Sequence, residues 1–177
     1  MRQPVTAARV NEFMKALGRG VTTPTRIFLV GGTSAVLLGW RDATIDIDLK
    51  AIPDSNDILR KLSALKESLE INIELASPGD FIPELPGWQE RSKFVQQEGR
   101  VIFLHYDFYA QALAKIERSH EHDLKDVDEM LRSNLIEPGR LREFFDQIED
   151  DIQNYPALNA ASFLRKVESF VARARKQ

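Results

Sequence analysis

Residues 27–49, IFLVGGTSAVLLGWRDATIDIDL, carry the pattern from which the chain's architecture can be read. An apolar run, Ile27 to Val30, ends in Gly31-Gly32. Two hydroxyls follow, Thr33 and Ser34, and then a short apolar helix that Gly39 closes. Trp40 to Ala43 reads as a loop. The segment 44–52 then alternates as a strand does: Ile45, Ile47 and Leu49 are predicted to point one way, and Asp46, Asp48 and Lys50 the other. A glycine turn, a helix and two carboxylates on one strand face therefore lie within one short stretch.

Those two carboxylates constrain the chemistry. Asp46 and Asp48 have Cα atoms about 6.5 Å apart along an extended strand. At an effective dielectric near 20 such charges repel by about 2 kcal/mol, less in open water. In a cleft they need a counter-charge, and a divalent cation with oxygen ligands supplies it. Mg²⁺ favours one or two carboxylates completed by substrate phosphates. A carboxylate cluster also suits paired metals that clamp both oxygens of a phosphoryl transfer. The glycines supply the other half, because a turn without Cβ atoms lets phosphate approach backbone N–H groups. Ser34 adds a hydroxyl donor. The bland alternatives are a tight strand-to-helix turn and a solvated acidic strand face. Their conjunction at the two ends of one helix favours a site.

Outward from this stretch, elements alternate. An amphipathic helix is predicted over 4–17, with Val10, Phe13, Met14 and Leu17 on one stripe. A strand over 26–30 follows a Pro24 linker. Beyond the acidic strand come a helix over 55–69 with Ser55 as N-cap, a strand over 71–76, and an ordered loop over 77–87. A strand over 101–108 pairs with 92–96 across Glu98-Gly99. One long helix is predicted over 108–132, its polar stripe running Gln111, Lys115, Arg118, His122, Asp126 and Glu129. A helical pair over 140–153 and 160–175 ends the chain. Strands interleaved with helices predict an α+β domain with a two-layer mixed sheet, over 1–132, and a helical extension over 133–177.

Composition bounds the rest. The 177 residues are 43% hydrophobic and 29% charged, ordinary for a globule with a core. The net charge of −3 predicts no global attraction to nucleic acid or anionic lipid. The absence of cysteine removes disulfides, thiolate metal sites and thiol nucleophiles. No apolar stretch reaches membrane-spanning length, so a cytoplasmic protein with no membrane partner is expected.

The residues Val30-Gly31-Gly32-Thr33-Ser34 and Asp46-Ile47-Asp48-Leu49 resemble the DNA polymerase β-type nucleotidyltransferase superfamily. The Gly39-Trp40-Arg41 segment and Thr44 resemble small bacterial members, including toxin components of toxin–antitoxin and abortive-infection systems. The order of flanking elements extends the likeness to about Leu131. The resemblance implies a mixed sheet with helices on one side and ATP or another NTP bound with Mg²⁺ (or Mn²⁺). It implies transfer of a nucleoside monophosphate to a hydroxyl or phosphate acceptor, tRNA or a protein among the candidates, and a cognate antitoxin as a partner. Gly31, Gly32 and Ser34 map onto the phosphate-binding turn, and Asp46 and Asp48 onto the metal carboxylates. The superfamily's third carboxylate, metal ligand and base, maps onto Glu74, which is mid-strand and opposite its apolar neighbours; Asp80 and Asp107 are alternatives. Thr44 joins the phosphate side; Arg41 either joins it or pairs with Asp42. Lys115 and Arg118 either contact triphosphate, as positive residues after the core do in similar enzymes, or are surface residues with i,i+4 partners such as Gln111 and His122. The other reading of the same fold is a non-catalytic binding or antitoxin-type module.

Other features carry less. His120, His122 and Asp123 lack the spacing of a zinc helix. Phe81 and Trp88 fit a loop core better than a base-stacking platform. Arg165, Lys166, Arg173, Arg175 and Lys176 read first as a solvated helix face, with an RNA backbone as the alternative. The glycines do not form GxGxxG, which argues against a dinucleotide-binding oxidoreductase.

Overall fold

A computed structural model describes residues 2–177. In chain order the elements are β1 (Val5–Thr6), α1 (Ala7–Gly20), β2 (Thr25–Val30), α2 (Gly32–Leu37), β3 (Ala43–Thr44), β4 (Asp46–Ile52), α3 (Asn56–Ser68), β5 (Asn72–Leu75), α4 (Trp88–Arg91), β6 (Lys93–Glu98), β7 (Val101–His105), α5 (Phe108–Arg118), α6 (Glu121–Arg132), α7 (Pro138–Ile148) and α8 (Ala160–Ala174). Short 3₁₀ turns cover Pro78–Asp80 and Glu149–Asn154. The chain forms two compact units: residues up to Ser77 together with Ser92–Tyr106, and Pro78–Arg91 together with Asp107–Gln177. These units do not coincide with a division at residue 132, because α5 and α6 group with the C-terminal helices.

The first unit holds a five-stranded mixed sheet in the order β5-β4-β2-β7-β6. β2 runs antiparallel to β4 and parallel to β7; β4 and β5 are parallel. One sheet face carries Ile27, Leu29, Ile47, Leu49, Ile73 and Phe103, all buried. Helix α1 brings Val10, Phe13, Met14 and Leu17 against them, and α3 brings Ile58 and Leu62. The stripe spacing of both helices is what makes this possible: one face closes the core and the other stays wet. Caps fix their starts. Thr6 accepts from the Arg9 amide at 3.4 Å, and Ser55 from the Ile58 amide at 3.3 Å. Fold class is α+β, as the alternation of elements predicts.

Two details of this unit differ from expectation. Helix α1 starts at Ala7, because Val5–Thr6 pairs with Ala43–Thr44 as a separate two-stranded ribbon. Ile45 is 78% exposed and does not share the buried face of Ile47 and Leu49. It lies in the bend between β3 and β4, where the period of two is broken before the strand begins.

The second unit is helical. Helix α5 packs on α6 and α8, and α7 on α8; Phe145 meets Phe163 edge-to-face at 4.9 Å. The single helix expected over 108–132 is two. Ser119 takes a left-handed conformation (φ 59°) that ends α5, and His120 starts α6. The predicted polar stripe is therefore not continuous. Gln111, Lys115 and Asp126 are buried rather than solvated. Among the described residues, no helix is long and apolar enough to cross a membrane.

Candidate active site

The edge of the first unit's sheet brings three carboxylates together. In β4 the residues alternate, so Ile47 and Leu49 fill the core while Asp46 and Asp48 take the opposite face. Parallel pairing then sets β5 in register, with Asp46 beside Asn72 and Asp48 beside Glu74. One ligand oxygen from each of Asp46, Asp48 and Glu74 lies within 4.8 Å of the others. Among the described residues this is the one group of three acidic or imidazole side chains close enough to share an ion. His120 and His122 instead stack on each other, ring centroids 6.4 Å apart.

The donor set tests well against a divalent cation. Two half-buried carboxylates and the exposed Glu74 present hard oxygen ligands and no nitrogen or sulfur, the chemistry that Mg²⁺ and Mn²⁺ take. At 4.8 Å each pair repels by roughly 1 to 3.5 kcal/mol, between the water limit and an effective dielectric near 20. The protein offsets part of this with Asn72. Its amide nitrogen donates to Asp46 Oδ1 and, at 3.2 Å, to Glu74 Oε1. Its carbonyl oxygen faces the guanidinium of Arg2 at 3.4 Å, which fixes the amide's orientation.

The glycine turn stands against this cluster. Gly31 has φ 59°, a region that non-glycine residues rarely enter. A Cβ built there would lie 3.6 Å from Asp48 Oδ2, so the open side of the turn looks onto the carboxylate. At Gly32 a Cβ would collide with the side chain of Thr44 and come within 3.4 Å of an Arg41 guanidinium nitrogen. Arg41 and Thr44 thus crowd the turn itself. Thr33 makes the mechanical link. Its hydroxyl accepts from the Asp48 amide at 3.1 Å and donates to the Asp46 carbonyl at 3.4 Å.

Ser34 is placed differently from a phosphate donor. It is 1% exposed; its hydroxyl donates to the Leu29 carbonyl at 3.2 Å and lies 2.8 Å from His105 Nδ1. Burial lowers the His105 pKa from 6.5 to about 4, and the imidazole is neutral. Ser34 therefore holds α2 to β2 and β7.

The remaining candidates lie in the second unit. Lys115 is 4% exposed, its ammonium 2.8 Å from Asp126 and 3.3 Å from Asp123. Arg118 pairs with Asp123 at 2.9 Å. Both cations are engaged with α6 acids. Asp107, an alternative third carboxylate, caps α5 and pairs with Arg91 at 2.7 Å. Asp80 sits in the 3₁₀ turn.

Asn72, Thr33 and His105 enter this picture without having been singled out as site residues. For Asn72 the signal was present: it shares strand parity with Glu74.

With a glycine turn and three acids on adjacent strands, the arrangement is that of a nucleotidyltransferase. The chain belongs to the family described as nucleotidyltransferase of unknown function (DUF6036), which it matches over residues 7–175. No curated protein and no solved structure matches it.

Proposed function

We propose that the protein transfers a nucleoside monophosphate from an NTP, with Mg²⁺ or Mn²⁺, to a hydroxyl or phosphate acceptor. The observation that carries this reading is the convergence of Asp46, Asp48 and Glu74 beside the Gly31-Gly32 turn. Family membership supports the reaction class. Asp46 and Asp48 would hold the ion, with Glu74 as a further ligand. When bound, the ion neutralises triphosphate charge and favours the ionised acceptor oxygen. The glycine turn admits the triphosphate, because no Cβ blocks the backbone there. Arg41 and Thr44 stand over Gly32 as a cation and a hydroxyl for the phosphate oxygens.

For a hydroxyl acceptor the transfer balances simply. The acceptor oxygen forms a bond to the α-phosphorus, the α–β phosphoanhydride bond breaks, and pyrophosphate leaves with that electron pair. Glu74 takes the acceptor's proton, directly or through water. A complete acidic triad removes the chief argument for the non-catalytic alternative. The buried Ser34 and Lys115 have no part in the proposal.

The test is thermal shift with each of ATP, CTP, GTP and UTP, with and without Mg²⁺, followed by transfer from α-labelled NTP. Stabilisation that needs nucleotide and metal together, abolished in Asp46→Asn and Asp48→Asn, is the expected result. No shift under any combination, with no labelled product, would sink the reading.

A further inference from the structure

The second unit contains a groove of about 390 Å³ that the proposed reaction does not use. Its wall is one face of α8: Ser162, Arg165, Lys166, Ser169, Phe170 and Arg173. These positions advance by three, one, three, one and three residues, the spacing that puts side chains on one helical stripe. Opposite stand Ile116 and Ser119 at the end of α5, and Leu124 in α6.

The chemistry of this groove is cationic and linear. Lys166 donates to the Glu117 carbonyl at 2.5 Å and has the Glu117 carboxylate at 3.9 Å, and Arg173 pairs with Asp128 at 3.1 Å. Both are thereby fixed beside the groove. Arg165 is exposed and has no ion-pair partner among the described residues. From Arg165 to Arg173 the helix rises about 12 Å. Exposed Ser169 lies between them, and Ser162 precedes them. A compact anion would be met by donors that converge on one point. Here they are strung out along a line, which suits a chain of phosphates. Ile116 and Phe170 are buried beneath the groove and half-buried Leu124 lines it, a narrow apolar surface for a sugar or an unpaired base. The whole protein carries a net charge of −3, so this stripe runs against the average field.

We propose that the groove docks a single-stranded nucleic acid, its phosphates lying along Arg165, Lys166 and Arg173 with the serine hydroxyls between. That this strand is also the acceptor rests on the transferase reading above; the docking itself does not.

The probe is a fluorescein-labelled single-stranded RNA of about 12 nucleotides, with a DNA of the same sequence alongside, read by anisotropy. No NTP is present, so this measurement and the transfer assay fail independently. Binding is expected at about 50 mM salt, and it weakens roughly tenfold by about 200 mM, as two or three phosphate contacts require. Arg165→Glu and Ser169→Glu each place a carboxylate in the groove at an exposed position, so both fold. Each is expected to weaken binding about tenfold at the lower salt, with a shallower salt slope. Absence of binding at the lower salt overturns the proposal, and so does unchanged affinity in both variants. Competition by AMP or by a polyglutamate peptide as effective as the unlabelled strand overturns it too. Equal affinity for a duplex would overturn the single-strand assignment.

Discussion

The Thr33 hydroxyl accepts from the Asp48 amide at 3.1 Å, joining the first turn of α2 to the strand that carries Asp46 and Asp48. The same oxygen donates to the Asp46 carbonyl, so one fully buried side chain spans both acidic residues. The glycine turn and the acids are thus held together through the backbone of β4. Replacing the hydroxyl with a methyl, Thr33→Val, keeps the volume and removes both hydrogen bonds. The expected cost is about 1–3 kcal/mol, a fall of several degrees in Tm. Thr33→Ser should recover most of it. Equal melting temperatures for wild type and Thr33→Val would show the link to be unimportant.

Asp48→Asn should separate activity from stability. On the proposed reaction the carboxylate would hold the metal and balance transition-state charge, so transfer should fall by about a thousandfold or more. Repulsion within the triad is relieved at the same time. Without metal the variant should therefore be as stable as wild type or more so, by up to about 1 kcal/mol. Melting curves in EDTA and transfer assays in Mg²⁺ check the two halves separately. A variant that melts far below wild type in EDTA would make Asp48 a structural residue.

Asn72 donates to both Asp46 and Glu74 and thereby brings the outer two acids of the cluster under one amide. Asn72→Asp replaces that donor with a fourth negative charge. The metal-free protein should lose about 1–2 kcal/mol, and Mg²⁺ should restore more stability to the variant than it adds to wild type. Asn72→Ala removes the donor without adding charge, and its loss should be the smaller. A Mg²⁺ response equal in all three proteins would contradict a positioning role for Asn72.

Much of this site was legible because strand parity is a strict rule. Asp46 and Asp48 share a face by spacing alone, and Glu74 joins them as soon as β5 pairs in register. The glycine turn was legible because two adjacent glycines after an apolar run leave few other conformations. What was not legible depends on neighbours distant in sequence. Ile45 has the right parity for the core, yet the bend before β4 turns it into solvent. Ser34 has the right position for phosphate, yet His105, 71 residues away, engages its hydroxyl. Lys115 reads as a surface cation on a long helix. The left-handed Ser119 ends that helix and folds α6 back, burying the lysine between two acids.

That buried lysine should be more important to folding than any exposed pair. Its two partners are each 5% exposed by side chain, and Asp123 also takes Arg118. Lys115→Ala removes the buried ammonium that bridges two buried carboxylates, a loss of about 3–5 kcal/mol. Arg118→Ala removes a guanidinium that is 42% exposed and should cost under about 1 kcal/mol. Urea unfolding of both variants tests the order. If Arg118→Ala were the more damaging, the assignment of Lys115 as the structural cation would be wrong.

Acid should weaken the first unit through His105. The imidazole is 7% exposed, and burial lowers its pKa to about 4 from an ordinary 6.5. Between these values the unfolded chain binds a proton that the folded chain refuses. Stability from this residue is therefore complete above about pH 6.5 and declines as pH falls toward 4. The full span corresponds to roughly 3 kcal/mol. Acid acts on other groups as well, so wild type alone cannot isolate the effect. His105→Gln keeps an N–H for the Ser34 oxygen and cannot titrate. Urea unfolding of both proteins at neutral pH and near pH 4.5 gives the difference directly. The gap between wild type and variant should narrow or invert on acidification, because only wild type carries the histidine's loss. Parallel pH profiles would mean that His105 does not become charged on unfolding, and the buried neutral imidazole would have to be abandoned.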